Sequence, residues 1–152
     1  MVIFLDSSST VCQLAPLLKL RHNITIITNG INIANELSNA QDLKCFLCPG
    51  VLKHKSLSIV GEFASSFIKN FNAELAIISC KAINTKGIFE GDDSQGLVKK
   101  SMIENANKTC FFVIIPRKKQ EDFLSCPILE ILTPWFQMET FLRNWMRYWQ
   151  II

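Results

Sequence analysis

Along the first three quarters of the chain, short runs of nearly all-apolar residues alternate with stretches where apolar residues return every three or four positions. The runs are residues 2–5, 24–28, 43–47, 74–79 and 110–115. They are too short for helices and rich in β-branched residues, so they predict strands buried on both faces. Between them, Val11, Leu14, Ala15, Leu17 and Leu18 recur at helical spacing, as do Ile33, Ala34 and Leu37. Phe63, Ala64, Phe67 and Ile68 predict a third inward face, and Leu97, Val98, Met102 and Ile103 a fourth. Pro16 interrupts the first helix and predicts a kink. Residues 51–60 read as a basic and then apolar connection, and residues 84–94, rich in glycine and acid, as an exposed loop. Strands alternating with helices, each strand almost wholly apolar, predict a mainly parallel sheet covered on both sides. The expected fold class is therefore α/β, a three-layer α/β/α domain.

The length of 152 residues fits one domain, and 49% hydrophobic with 19% charged residues is an ordinary globular balance. A net charge of +3 favours an anionic ligand slightly and is too weak to argue for nucleic acid. Most of the six cysteines sit in apolar runs, where a thiol behaves as a small core residue. Cys45 and Cys48 would point to opposite faces of one strand, which argues against a zinc or redox pair. No metal or cofactor is called for. Asp6 follows the opening apolar run too soon for a signal peptide or a membrane span, so a reducing, cytoplasmic setting without membrane is expected. Residues 1–133 are expected to form the domain, and residues 134–152 a divergent aromatic helix. There, Met138, Phe141, Leu142, Trp145, Met146 and Trp149 recur at helical spacing, a face that could pack on the core, on a second subunit or on a membrane surface, with packing on protein the favoured expectation.

In such sheets a ligand lies beyond the carboxyl ends of the strands. Asp6-Ser7-Ser8-Ser9-Thr10 follows the first strand, Thr28-Asn29-Gly30 the second, and Pro49-Gly50 the third, with Lys53, His54 and Lys55 close behind. Cys80 and Lys81 follow the fourth. Hydroxyls, an amide, flexible backbone and cations together suit a phosphorylated, hydroxyl-rich small molecule. The first loop opens a helix, so free backbone N–H groups converge there; the competing reading is an ordinary cap. Asn29 either reaches a ligand hydroxyl or caps the second helix. Lys53 and Lys55 either neutralise a phosphate or sit in solvent. Lys81 needs an anionic partner, either a ligand or an acid such as Asp6. Lys99 lies on a helix whose start is near the same face. His22 and His54 have no partner cluster.

These residues resemble a known family. Ile3-Phe4-Leu5-Asp6-Ser7-Ser8-Ser9-Thr10 is similar to the strand and phosphate loop that open the effector domain of DeoR-type transcription regulators. Ile26-Ile27-Thr28-Asn29-Gly30 resembles their second strand with its Thr-Asn hallmark, and Pro49-Gly50-Val51-Leu52-Lys53 their Gly-Gly-x-x-Arg turn. Ser56-Leu57-Ser58-Ile59-Val60-Gly61, Ile78-Ser79-Cys80-Lys81-Ala82-Ile83 and Gly87 with Val98-Lys99-Lys100-Ser101-Met102-Ile103 continue the likeness in order, to about residue 114. The resemblance implies a fold like that of ribose-phosphate isomerase and the CoA transferases. It implies a sensor of a phosphorylated sugar or polyol, working in homo-oligomers whose operator affinity changes on binding. Ligand contacts are expected from Asp6, Ser7, Ser8, Ser9, Thr10, Thr28, Asn29, Gly50, Lys53, Lys81 and Lys99, and no catalytic residue is expected.

Three departures stand out. Ser8 replaces the usual loop glycine, Lys53 replaces arginine and loses bidentate geometry, and Ile114-Ile115-Pro116-Arg117 stands where the family places Asp-x-Ser-Lys. The family also carries a winged helix-turn-helix ahead of this domain. DNA contact is therefore expected only through a unit absent from this chain, which reads as an excised domain or a truncated gene product. Two other readings compete. A sugar-phosphate isomerase would need a carboxylate base after the fourth strand, where Cys80 and Lys81 stand. A remnant that binds nothing would explain the departures.

Overall fold

A computed structural model describes residues 1–80, 82–84 and 87–113. The predicted terminal helix, the boundary at 133, the segment from Ile114 and Lys81 lie outside the described residues.

Five parallel strands form the central sheet: β1 (Val2–Leu5), β2 (Ile24–Thr28), β3 (Leu43–Leu47), β6 (Leu75–Cys80) and β9 (Thr109–Val113). Their order is β3-β2-β1-β6-β9. Side chains alternate along each strand, and both faces are apolar. Ile3, Leu5, Ile26, Leu75 and Ile77 enter one core, where they meet Val11, Leu14, Ala15, Leu18, Ile33 and Leu37. Those partners come from α1 (Ser9–Cys12), α2 (Ala15–Leu18), α3 (Ile31–Leu37) and the link between α1 and α2. Phe4, Ile27, Ala76 and Ile78 enter the other core, against Ala64 and Ile68 of α4 (Glu62–Ile68) and Val98 and Met102 of α5 (Asp93–Glu104). The domain is thus three-layered α/β. This is why the strand sequences are continuous apolar runs and not alternating ones.

Pro16 does more than kink the first helix. It splits it into α1 and α2 and sits in the first turn of α2, where its missing N–H costs no hydrogen bond. Residues 51–60 are not a plain connection: β4 (Val51–Lys53) and β5 (Ser58–Val60) form an antiparallel hairpin. The loop expected at 84–94 overlaps a second hairpin, β7 (Ala82–Asn84) with β8 (Gly87–Phe89). Three-residue strands are too short to show a period in sequence. Two inward assignments also fail. Phe63 is 77% exposed and Leu97 44%, because α4 buries the small stripe Ala64, Ser65 and Ile68, and α5 buries Val98, Ser101 and Met102. His22 does have a partner, Asp42, at 2.9 Å on the surface.

Cys45 packs against the first core and Cys48 lies in the second. Burial pushes the Cys48 thiol up to about 12, so it stays protonated at neutral pH.

The strand order creates one special place. From β1 the chain runs outward to β2 and β3, then crosses to β6 on the other side of β1. Leu5 pairs with Ile77 at the carboxyl end of β1. Such a switch point is where open α/β sheets hold ligands.

Candidate ligand-binding cleft

The loop after β1 is shaped by one buried carboxylate. Asp6 is 1% exposed. Its Oδ1 accepts from the Ser8 amide at 3.0 Å and from Ser8 Oγ at 2.6 Å. Its Oδ2 accepts from the Ser79 amide at 2.9 Å and faces Lys99 Nζ at 3.3 Å. Asp6 therefore ties the end of β1 to β6. Ser8 is the N-cap of α1, its Oγ accepting from the Val11 amide at 3.1 Å. The Ser8 hydroxyl is thus occupied on both sides. The Ser9 and Thr10 amides have no carbonyl within so short a helix start.

The loop after β2 supports this one from behind. Thr28 Oγ1 accepts from the Gly30 amide at 3.0 Å. Gly30 lies so close that a β-carbon there would meet the Ser7 Cα at 2.9 Å. Asn29 donates through Nδ2 to the Ile59 carbonyl at 3.0 Å, and its own carbonyl accepts from the Ile59 amide at 2.7 Å. It caps nothing: Gly30 occupies the N-cap of α3 without a side-chain bond. Asn29 pins the β4–β5 hairpin instead. Its Oδ1 is buried without a hydrogen-bond partner among the described residues. Gly50 opens the hairpin at φ +145°, where a β-carbon would stand 2.7 Å from the Val60 carbonyl.

Two of the lysines expected to contact the ligand, Lys53 and Lys99, are already paired. Lys53 bonds Asp92, the N-cap of α5. That ammonium, with Ser94 Oγ and the Gln95 amide, holds the Asp92 carboxyl well below the usual carboxylate range. Lys99 is buried to 12% side-chain exposure, not a surface lysine. It donates to the Ser79 carbonyl at 2.6 Å and to Glu90.

Above these groups lies a cleft of about 380 Å³. That size falls within the range of small-molecule sites, roughly 300–1,000 Å³. Ser7, Ser8 and Ser9 line one side, Asn32 and Lys55–Leu57 another, and Gln95 and Lys99 a third. Gln95 Nε2 reaches Ser56 Oγ at 3.0 Å and Ser58 Oγ at 3.3 Å, which joins α5 to the hairpin. Of the residues expected from sequence, the cleft brings together Ser7, Ser8, Ser9 and Lys99. Asp6, Thr28 and Asn29 are buried behind its wall; Thr10, Gly50 and Lys53 do not line it. Asn32, Ser56, Leu57 and Gln95 join it without having been singled out. Asn32 and Gln95 had a readable signal: each is a polar residue in the first turn of a helix. Lys55 lines the cleft with no acid partner among the described residues.

Among the described residues no helix is long and apolar enough to cross a membrane. Residues 1–126 match the family described as DeoR C terminal sensor domain. The chain is 33% identical over 108 residues to an uncharacterized HTH-type transcriptional regulator, YulB, of Bacillus subtilis, covering 70% of this chain and 42% of that protein. It is 30% identical over 112 residues to the glycerol-3-phosphate regulon repressor of Escherichia coli, covering 73% and 44%. It is 29% identical over 106 residues to the transcriptional repressor GlcR of Bacillus subtilis, covering 70% and 41%. The chain thus spans less than half the length of these curated relatives.

Proposed function

Since the chain belongs to the DeoR C terminal sensor-domain family, we propose that its cleft binds a phosphorylated sugar or polyol as an effector, without turning it over. One observation carries this reading. At the sheet's switch point, the serine loop and Lys55, which has no acid partner among the described residues, line one cleft together with Asn32, Ser56, Leu57, Gln95 and Lys99. Hydroxyl and amide groups recognise a polyol, while Lys55 and the open amides of the loop suit its phosphate. The relative named as a glycerol-3-phosphate regulon repressor makes small polyol phosphates the first class to try.

The isomerase reading finds no support in the loop's carboxylate. Asp6 is buried and already accepts three hydrogen bonds while facing Lys99, so it is not placed as a base. In this reading the chain senses, copies of it associate in the cytoplasm, and DNA contact belongs to a separate helix-turn-helix unit.

Thermal melts of the chain with a panel of phosphorylated sugars and polyols, their unphosphorylated counterparts and inorganic phosphate test the proposal. A ligand held at a hundred times its Kd adds about 2.7 kcal/mol to stability. A rise confined to one or a few phosphorylated compounds is expected. An equal rise with the unphosphorylated partner, or none across the panel from a folded sample, overturns it; the second outcome favours a remnant.

A further inference from the structure

The cleft is polar on nearly every side. Of the described residues that line it, Leu57 alone is apolar. It is also the one lining residue among them with a left-handed backbone, at φ 46°. There an L-residue brings its β-carbon against the following carbonyl, so glycine and asparagine take the conformation at least cost and leucine does not.

Neighbouring bonds hold that shape. The Leu57 carbonyl accepts from the Ile31 amide, at the start of α3, at 2.9 Å. Ser58, fully buried, bridges to Gly30. Ser56 Oγ meets Ser58 Oγ at 2.7 Å and Gln95 Nε2 at 3.0 Å. None of these bonds uses the side chain of residue 57. Glycine or asparagine would make the same turn with less strain. What leucine adds is its side chain, which belongs to neither core and stays 39% exposed. A strained apolar group that serves neither core is accounted for by what enters the cleft.

A phosphorylated polyol has two kinds of surface. Its hydroxyl and phosphate oxygens need polar partners, which the serines, Asn32, Lys55 and Gln95 supply. The C–H faces of its carbon skeleton need apolar cover, and among the described lining residues only Leu57 offers it. Lys55 lies two positions away on the same wall, so a phosphate held by Lys55 leaves the adjoining carbons beside Leu57.

Resting on the reading that the cleft takes a phosphorylated sugar or polyol, we infer that Leu57 is a specificity-determining residue, the apolar plate on which the ligand's carbon skeleton packs. Carbon-bound hydrogens are favoured against it, while a hydroxyl turned toward it loses water without gaining a partner. Among phosphorylated polyols the cleft therefore selects one that presents a C–H face to the wall carrying Lys55.

Calorimetric titration of the wild type and of the Leu57→Gly and Leu57→Asn variants, with the phosphorylated panel and with inorganic phosphate, tests this. Both variants suit the left-handed turn. Losing cover over about two CH2 groups should weaken the phosphorylated polyols about tenfold in each. Inorganic phosphate has no carbon skeleton, so wild type and variants should treat it alike; a general distortion of the cleft would weaken both ligands together and overturns the inference. Polyol phosphates bound as tightly by the variants as by the wild type show that Leu57 does not touch the ligand, and the sugar-phosphate reading stands. If the wild type binds no phosphorylated compound, that reading falls and this inference with it. Urea unfolding gives a measure that needs no ligand: the variants' midpoints should stay at the wild type's, and a clear fall would assign the leucine to the fold and overturn the inference.

Discussion

The loop after β1 and the turn between β4 and β5 border the same cleft and are built on opposite principles. In the first, Asp6 and Ser8 are closed into a network that leaves neither side chain a free hydrogen-bonding group toward a ligand. In the second, Lys55 stands exposed without an acid partner among the described residues, and Leu57 turns the chain at φ 46°, a conformation leucine rarely adopts. That turn is held at its ends, by the Ile31 amide on the Leu57 carbonyl and by Gln95 on Ser56. A binding site needs both kinds of part. Saturated groups fix where the walls are, and unsaturated groups meet the ligand.

Removing Asp6 should separate the two most sharply. An Asp6→Ala change leaves the Ser79 and Ser8 amides without their acceptor and strips Lys99 of one carboxylate, in a site closed to water. Breaking a buried charged network of this kind costs about 3–5 kcal/mol, a large part of the roughly 5–15 kcal/mol that holds a domain together. Urea unfolding followed by circular dichroism measures it. A midpoint close to the wild type's would show that the loop does not depend on its carboxylate.

That network was half legible in the sequence. The apolar runs announced the five strands because a parallel sheet buries both faces, and the loops after them marked the right edge. What the sequence did not show was which polar groups were already spent. Asp6 and Lys99 meet only through the fold, and Lys53 finds Asp92 39 positions further along the chain. A serine that replaces glycine at position 8 reads as an extra donor until its two partners are known. Asn29 reads as a cap or a ligand group, and its contact with Ile59 depends on a hairpin too short to foresee. Lys55, by contrast, gave the same signal as Lys53, and the pairing of Lys53 with Asp92, with no acid opposite Lys55 among the described residues, distinguishes them.

Lys55→Ala should produce the reverse pattern. Exposed, and unpaired among the described residues, this residue contributes within about 0.5 kcal/mol of stability. Its charge-assisted contact with a phosphate is worth enough that affinity should fall about tenfold. Calorimetry and urea unfolding on the same variant check both halves. A stability loss with unchanged affinity would place Lys55 among the structural residues and undo the comparison.

Acid gives the smallest and most local test. Because Lys53 lowers the Asp92 carboxyl in the fold, that pair's contribution is complete above the unfolded carboxylate value, about 3.9, and is lost as pH falls through the folded value below it. The pair is about one third exposed, so the effect is modest. Between pH 7 and pH 3 the unfolding midpoint should fall less steeply in a Lys53→Met variant than in the wild type. Equal slopes would mean that the pair does not fasten the hairpin to α5.

The alternation along β1 has a consequence of its own. Phe4 belongs to one core and Ile3 and Leu5 to the other, with the backbone of the sheet between them. Two independent packing problems are therefore solved by neighbouring letters of one short strand. A volume change at Leu5 is compensated within the first core, among α1, α2, α3 and the strand side chains on that face, and one at Phe4 within the second, among α4, α5 and the strand side chains on the other face. Substitutions on opposite faces should act additively, as changes without shared partners do. Each face can thus drift in sequence at its own pace, while the carboxylate at the strand's end stays answerable to both.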